Sequence, residues 1–88
     1  MAWTVEYDPR SEKELAKIAK PVAKRILDYM DAVAELDDPT IRGKPLVGSL
    51  AGLWRYRVGD WRVICDLDTH RLVIVAVEVA HRSRVYAR

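Results

Sequence analysis

An α+β domain is the fold class that this sequence predicts, and three observations carry the prediction. A short alternating run opens the chain, apolar residues at helical spacing fill its first half, and three strand-like runs separated by tight turns fill its second. That order gives an N-terminal strand, a two-helix hairpin and then an antiparallel three-stranded meander. The result is a twisted sheet with both helices on one face. With 88 residues, half of them hydrophobic, residues 1–88 are expected to form a single domain with its own core.

Each element has a local cause. From Ala2 to Tyr7, Trp3, Val5 and Tyr7 alternate with Ala2, Thr4 and Glu6, as in a half-buried strand. Asp8-Pro9 turns the chain and opens a helix, because proline suits the first helical position. Ser11 with Glu14 offers a second start, as a capping box. Leu15, Ile18 and Ala19 give this helix an apolar stripe, and Pro21 ends it by clashing with the preceding turn. A second helix begins at Pro21, with Val22, Ile26, Tyr29, Met30, Val33 and Leu36 at helical spacing, and Asp37-Asp38-Pro39 closes it. Residues 38–52 contain two prolines and three glycines and show no period. So long a connection in a compact domain is often functional. Three strands follow, Leu53–Val58, Trp61–Leu67 and Leu72–Val79, joined by turns at Gly59-Asp60 and Asp68-Thr69-His70.

Composition narrows the function classes. The single cysteine, Cys65, makes no internal disulfide and no cysteine-built zinc site, and its apolar surroundings suit a small buried residue. No cofactor or metal ligand set is expected. The longest apolar run, Leu72 to Val77, is six residues, far short of the roughly 20 of a membrane span. Met1 to Pro9 lacks the basic start and apolar stretch of a signal peptide, so a cytoplasmic chain is expected. The net charge of +2 hides an asymmetry: residues 1–41 hold six basic and nine acidic side chains, and residues 42–88 hold nine and four. Such a distribution suits a local phosphate-binding face.

Strand alternation places that face. Trp54, Tyr56 and Val58 share one side and are the natural partners of the helices, so Arg55 and Arg57 look out from the other. On the next strand Trp61, Val63, Cys65 and Leu67 oppose Arg62, Ile64 and Asp66, and Arg62 joins the first two arginines. The last strand runs into HRSRVYAR, which brings His81, Arg82, Arg84 and Tyr86 beside the sheet, while Arg42 and Lys44 lie in the irregular connection. Arginine's planar fork binds phosphate oxygens in pairs, and an aromatic ring stacks on a base. Exposed strands also carry charge simply to stay solvated, and the pattern alone leaves both readings open. Trp3, Trp54 and Trp61 read as core and His70 as a turn residue.

The run LWRYRVGDWRVICDLD, the strand ending in VAHRSRVYAR and the preceding IRGKPLVGSLAG resemble the RelE/ParE toxin superfamily, specifically its RelE-like branch. The resemblance covers the whole strand–helix–helix–strand–strand–strand order and is most specific over residues 42–86. It implies the toxin of a type II toxin–antitoxin pair: a metal-independent endoribonuclease that enters the ribosomal A site and cuts mRNA. The implied chemistry is attack of a ribose 2′-hydroxyl on the adjacent phosphorus. The implied catalytic residues are Arg55, Arg57, Arg62, His81, Arg82 and Tyr86, with Arg42, Lys44 and Arg84 as further RNA-binding residues. Arg62 would hold the scissile phosphate, Arg82 the leaving group, and Tyr86 a base. Where the family often has lysine, this chain has Arg55 and Arg57, which effectively cannot give up a proton. His81 is therefore the expected general base, since histidine exchanges protons near neutral pH; the alternative is that the arginines alone align and polarise the RNA, giving slow cleavage. The implied partners are a cognate antitoxin, the ribosome and its message, with operator DNA bound through the antitoxin and no membrane. The alternatives are a ParE-like inhibitor of DNA gyrase without nuclease activity, and a catalytically weak RNA- or ribosome-binding module.

Overall fold

A computed structural model describes residues 3–85. Strand β1 (Thr4–Tyr7) leads into helix α1 (Pro9–Lys17) and helix α2 (Lys20–Ala34). Strands β2 (Lys44–Pro45), β3 (Trp54–Val58), β4 (Trp61–Asp68) and β5 (Val73–His81) follow. They form one five-stranded sheet in the order β1-β5-β4-β3-β2. The meander expected from sequence is β3-β4-β5, and β1 pairs with β5 in parallel. The two-residue β2 adds an edge strand that the sequence pattern does not announce.

The helix boundary differs from expectation for a local reason. Asp8 is the N-cap of α1, its Oδ1 accepting the Ser11 backbone N–H at 2.8 Å, with proline at the first position. Ser11 is therefore inside the helix rather than capping it. Its buried hydroxyl donates to the Ala76 carbonyl at 2.8 Å and ties α1 to β5. The first helix stops at Lys17, and Ile18 and Ala19 are extended. Breaking the chain there puts Pro21 in the first turn of α2, where its missing N–H costs nothing.

The core lies between α2 and one face of the sheet. Ile26, Met30 and Val33 of α2 meet Tyr56, Val58, Val63, Cys65, Ile74, Ala76 and Val79. Cys65 is fully buried, and burial, reinforced by the Asp66 charge, pushes its thiol well above the ordinary range. It is a packing residue and not a nucleophile.

One irregularity in β5 decides which side chains reach each face near the C-terminal end of that strand. Cys65 pairs with Ala76, but Ile64 pairs with Glu78, so Val77 is an extra residue in a β-bulge. Strict alternation from Ile74 and Ala76 would point Glu78 at the helices. The bulge reverses the parity: Val79 and His81 join the helix face opposite Val63 and Trp61, and Glu78 turns to the other face opposite Ile64.

Candidate nucleic-acid interface

The face away from the helices is built by register. Lys44 pairs with Arg55, Arg55 with Ile64, and Ile64 with Glu78, making one row across four strands. Arg57, Arg62 and Ala80 make the next row. Arg57 and Arg62 are thus directly opposed like charges, an arrangement that destabilises a sheet unless an anion neutralises it. Arg62 curls toward the hairpin turn, its Nη1 donating to the carbonyls of Gly59 and Trp61 at 2.9 Å each. Gly59 has φ +59°, the left-handed conformation this tight turn needs.

The irregular connection, residues 38–52, delivers two more cations. Asp38 caps a short 3-10 turn, Pro39–Arg42, by accepting from the Thr40 backbone N–H at 3.0 Å and from its hydroxyl at 2.6 Å. The Tyr56 hydroxyl crosses the core edge and donates to the Pro39 carbonyl at 2.7 Å, and burial pushes that phenol well above its ordinary range. A side chain at Gly43 would stand 3.0 Å from the Tyr56 ring, so any larger residue there would have to push the ring aside. The segment is pinned by these contacts. It carries Arg42 and Lys44 to a cleft of about 410 Å³ that they share with Tyr29, Arg55 and Arg57. The Arg42 guanidinium lies 6.0 Å from the Tyr29 ring centroid. No acidic side chain lies within 4 Å of Arg42, Lys44 or Arg57 among the described residues. In so cationic a site a phosphate replaces mutual repulsion with charge-assisted hydrogen bonds.

The C-terminal group divides. The Arg82 backbone N–H donates to the Asp60 carbonyl at 2.7 Å and its Nε lies 3.7 Å from the Asp60 carboxylate, beside the β3–β4 hairpin. Arg84 turns to α1, 3.9 Å from Glu14. Tyr86 lies outside the described residues.

His81 is on the helix side, with its ring edge-on to Trp61 at 5.5 Å, so the expected convergence of His81 with Arg55, Arg57 and Arg62 does not occur. The bulge at Val77 is the cause. The His81 Nδ1 accepts the Ser83 backbone N–H at 3.2 Å, and a backbone N–H can only donate. The Ser83 hydroxyl also lies 2.9 Å from that nitrogen, so Nδ1 is engaged within the C-terminal turn.

Tyr29, which lines the cleft, and the face taken by Glu78 were both missed from sequence. Tyr29 reads as an ordinary apolar position of α2, and nothing in the helix periodicity points to the cleft. Glu78 reads as one acid inside an apolar strand, and its face depends on the bulge. Among the described residues no three His, Cys, Asp or Glu side chains come together as a metal-binding group. No helix among them is long and apolar enough to cross a membrane.

Comparisons with known proteins bear on this geometry. Residues 5–86 match the family model described as the ParE toxin of the type II toxin–antitoxin system parDE. The chain is 28% identical over 89 residues to Toxin RelG of Mycobacterium tuberculosis, covering 100% of both chains. Its fold is similar to that in the RelBE2 toxin–antitoxin complex of M. tuberculosis, with TM-score 0.85, 24% identity and 94% of each chain covered. It is also similar to the archaeal RelE–RelB complex of Pyrococcus horikoshii, with TM-score 0.73, 27% identity, and 96% of this chain and 99% of that one covered.

Proposed function

The chain belongs to the ParE toxin family of type II toxin–antitoxin systems, within the RelE/ParE superfamily, and we propose that it is a metal-independent endoribonuclease that cuts mRNA in the ribosomal A site. The observation that carries this reading is the directly opposed Arg57–Arg62 pair, continuous with the cationic cleft of Arg42, Lys44 and Arg55. A protein that only had to fold gains nothing from that arrangement. One that grips a sharply bent phosphodiester gains affinity and transition-state stabilisation together.

In this mechanism Arg57 and Arg62 bind the non-bridging oxygens of the scissile phosphate, where negative charge grows during attack by the 2′-hydroxyl. Arg55, Lys44 and Arg42 hold the flanking backbone. Arg82 stabilises the departing 5′-oxygen. The products are a 2′,3′-cyclic phosphate and a free 5′-hydroxyl. An antitoxin with an acidic or amphipathic segment is the partner this face suits, and operator DNA is reached through that antitoxin.

The second reading is a ParE-like block of DNA gyrase, favoured by the family model's own description. One experiment separates the two. The chain is induced in cells, a translated message is mapped by primer extension, and plasmid supercoiling is assayed in parallel. Codon-associated breaks support the nuclease. Lost supercoiling without breaks supports gyrase. Growth arrest with neither supports an RNA- or ribosome-binding module.

A further inference from the structure

We infer that Glu78 is the general base of this site; the inference rests on the ribonuclease reading above. Arginines can hold and polarise an RNA linkage but cannot take its proton. An acceptor must therefore come from elsewhere on the same face. His81 is on the other face, with Nδ1 occupied. The carboxylates on the arginine face of the sheet are Glu6, Asp66, Asp68 and Glu78, of which Glu6 is on β1, two strands from Arg62, and lies 3.4 Å from Arg71. Asp66 and Asp68 lie further along β4 from Arg62, beyond Ile64, whereas Glu78 sits diagonally across from Arg62, whose direct partner is Ala80. Such diagonal neighbours are about 7–8 Å apart, within reach of two long side chains gripping one nucleotide.

The bulge points the same way. It adds one residue to β5 and, in doing so, puts a carboxylate on the cationic face that strict alternation would bury under the helices. Bulges are enriched beside active sites because they re-aim a side chain in this manner. Glu78 is 7% exposed and opens onto a groove of about 160 Å³ beside α1, lined also by Arg10, Glu14, Val79, Ala80 and Arg84 and separate from the cleft of Arg42, Lys44, Arg55 and Arg57. Arg10 of α1 approaches its Oε2 to 3.9 Å, and Arg84 and Glu14, 3.9 Å apart, also line the groove.

Protons and electrons balance without a metal or redox partner. The 2′-oxygen forms its bond to phosphorus as its proton moves to the Glu78 carboxylate. The bond from phosphorus to the 5′-oxygen breaks, and that oxygen leaves with the electron pair. It takes a proton from water, and the resulting hydroxide recovers the proton from Glu78. A positioned base of this kind is worth about 10²–10⁴ in rate.

The test uses the full chain freed from any antitoxin, on ribosomes programmed with a message, in single turnover. A matching message with a 2′-deoxy residue at the cut site reports binding alone. Glu78→Gln is expected to lower the cleavage rate about a hundredfold or more while 2′-deoxy binding stays within about threefold. Glu78→Asp, which keeps the carboxylate and guards against a folding defect in the first variant, is expected to retain at least about tenfold more activity than Glu78→Gln. Equal rates for wild type and Glu78→Gln overturn the assignment. Parallel loss of rate and 2′-deoxy binding in both variants also overturns it, and makes Glu78 a structural acid. Failure of the wild type to cut any message overturns the ribonuclease reading itself, and is distinguishable from both.

Discussion

On β4, Val63 and Cys65 point toward α2 while Arg62 and Asp66 point away from it. The same strand thus contributes to two surfaces with opposite needs. The helix face is built from residues such as Ile26, Val63 and Ile74 that are fully buried, and its free energy comes from apolar area removed from water. The other face carries Lys44, Arg55, Arg57 and Arg62, whose proximity costs electrostatic energy until a polyanion arrives. Alternation lets stability and binding be adjusted almost independently, except at Val77, where a bulge exchanges the faces of the residues beyond it.

The sharpest way to break the comparison is on the helix side. Ile74→Ala or Ile26→Ala, both fully buried, is expected to cost about 2–5 kcal/mol in urea unfolding, with RNA affinity lost only through unfolding. A cost below about 1 kcal/mol at both positions would mean that the core lies elsewhere.

The complementary change is on the arginine face. Arg57→Ala, at an exposed position, is expected to leave unfolding within about 0.5 kcal/mol of wild type. It should weaken binding to a 2′-deoxy message about tenfold and reduce the salt dependence of that affinity by about one phosphate contact. Equal affinity at all salt concentrations would remove Arg57 from the interface.

Two tyrosines on the helix side refine the picture further. Tyr56→Phe removes the donor to the buried Pro39 carbonyl and is expected to cost about 1–3 kcal/mol, and to loosen the segment that carries Arg42 and Lys44. Tyr7 has a buried hydroxyl with no hydrogen-bond partner among the described residues, so Tyr7→Phe is expected to be neutral or stabilising by up to about 1 kcal/mol. A substantial loss in Tyr7→Phe would contradict the unpaired hydroxyl.

The smallest effect is on pH dependence. Burial, the leading cause in each case, raises Tyr7, Tyr56 and Cys65 above their ordinary values of 10.0, 10.0 and 9.0. The folded state then holds protons that the unfolded chain releases, so this stability is intact below about pH 9 and declines as pH rises past 9 to 10 and beyond. Urea midpoints at about pH 8 and about pH 11 should show the decline, and Tyr7→Phe should show less of it.

Much of this was legible in the chain, and the exceptions have physical causes. Period-two alternation reveals the faces of β3 and β4, and so Arg55, Arg57 and Arg62, because each residue's side is set locally. The proline rule announces a break between the helices but not its position, since Pro21 tolerates a helix that starts before it. The 3-10 turn at Pro39–Arg42 and the edge strand β2 depend on Tyr56 reaching Pro39, a contact between residues 17 apart. His81 and Glu78 exchange faces because a bulge reflects how β5 meets β4, and Val77 looks like any other apolar residue of its strand.

The most direct test of the two-face account is an isotope-labelled isoleucine methyl titration with a non-cleavable 2′-deoxy RNA. Ile64, itself fully buried, lies on the arginine face in the row between Arg55 and Glu78, while Ile26 and Ile74 lie in the core under α2. The account predicts that RNA shifts the Ile64 methyl signals and leaves those of Ile26 and Ile74 in place. Shifts at Ile26 and Ile74 with Ile64 unmoved would contradict it.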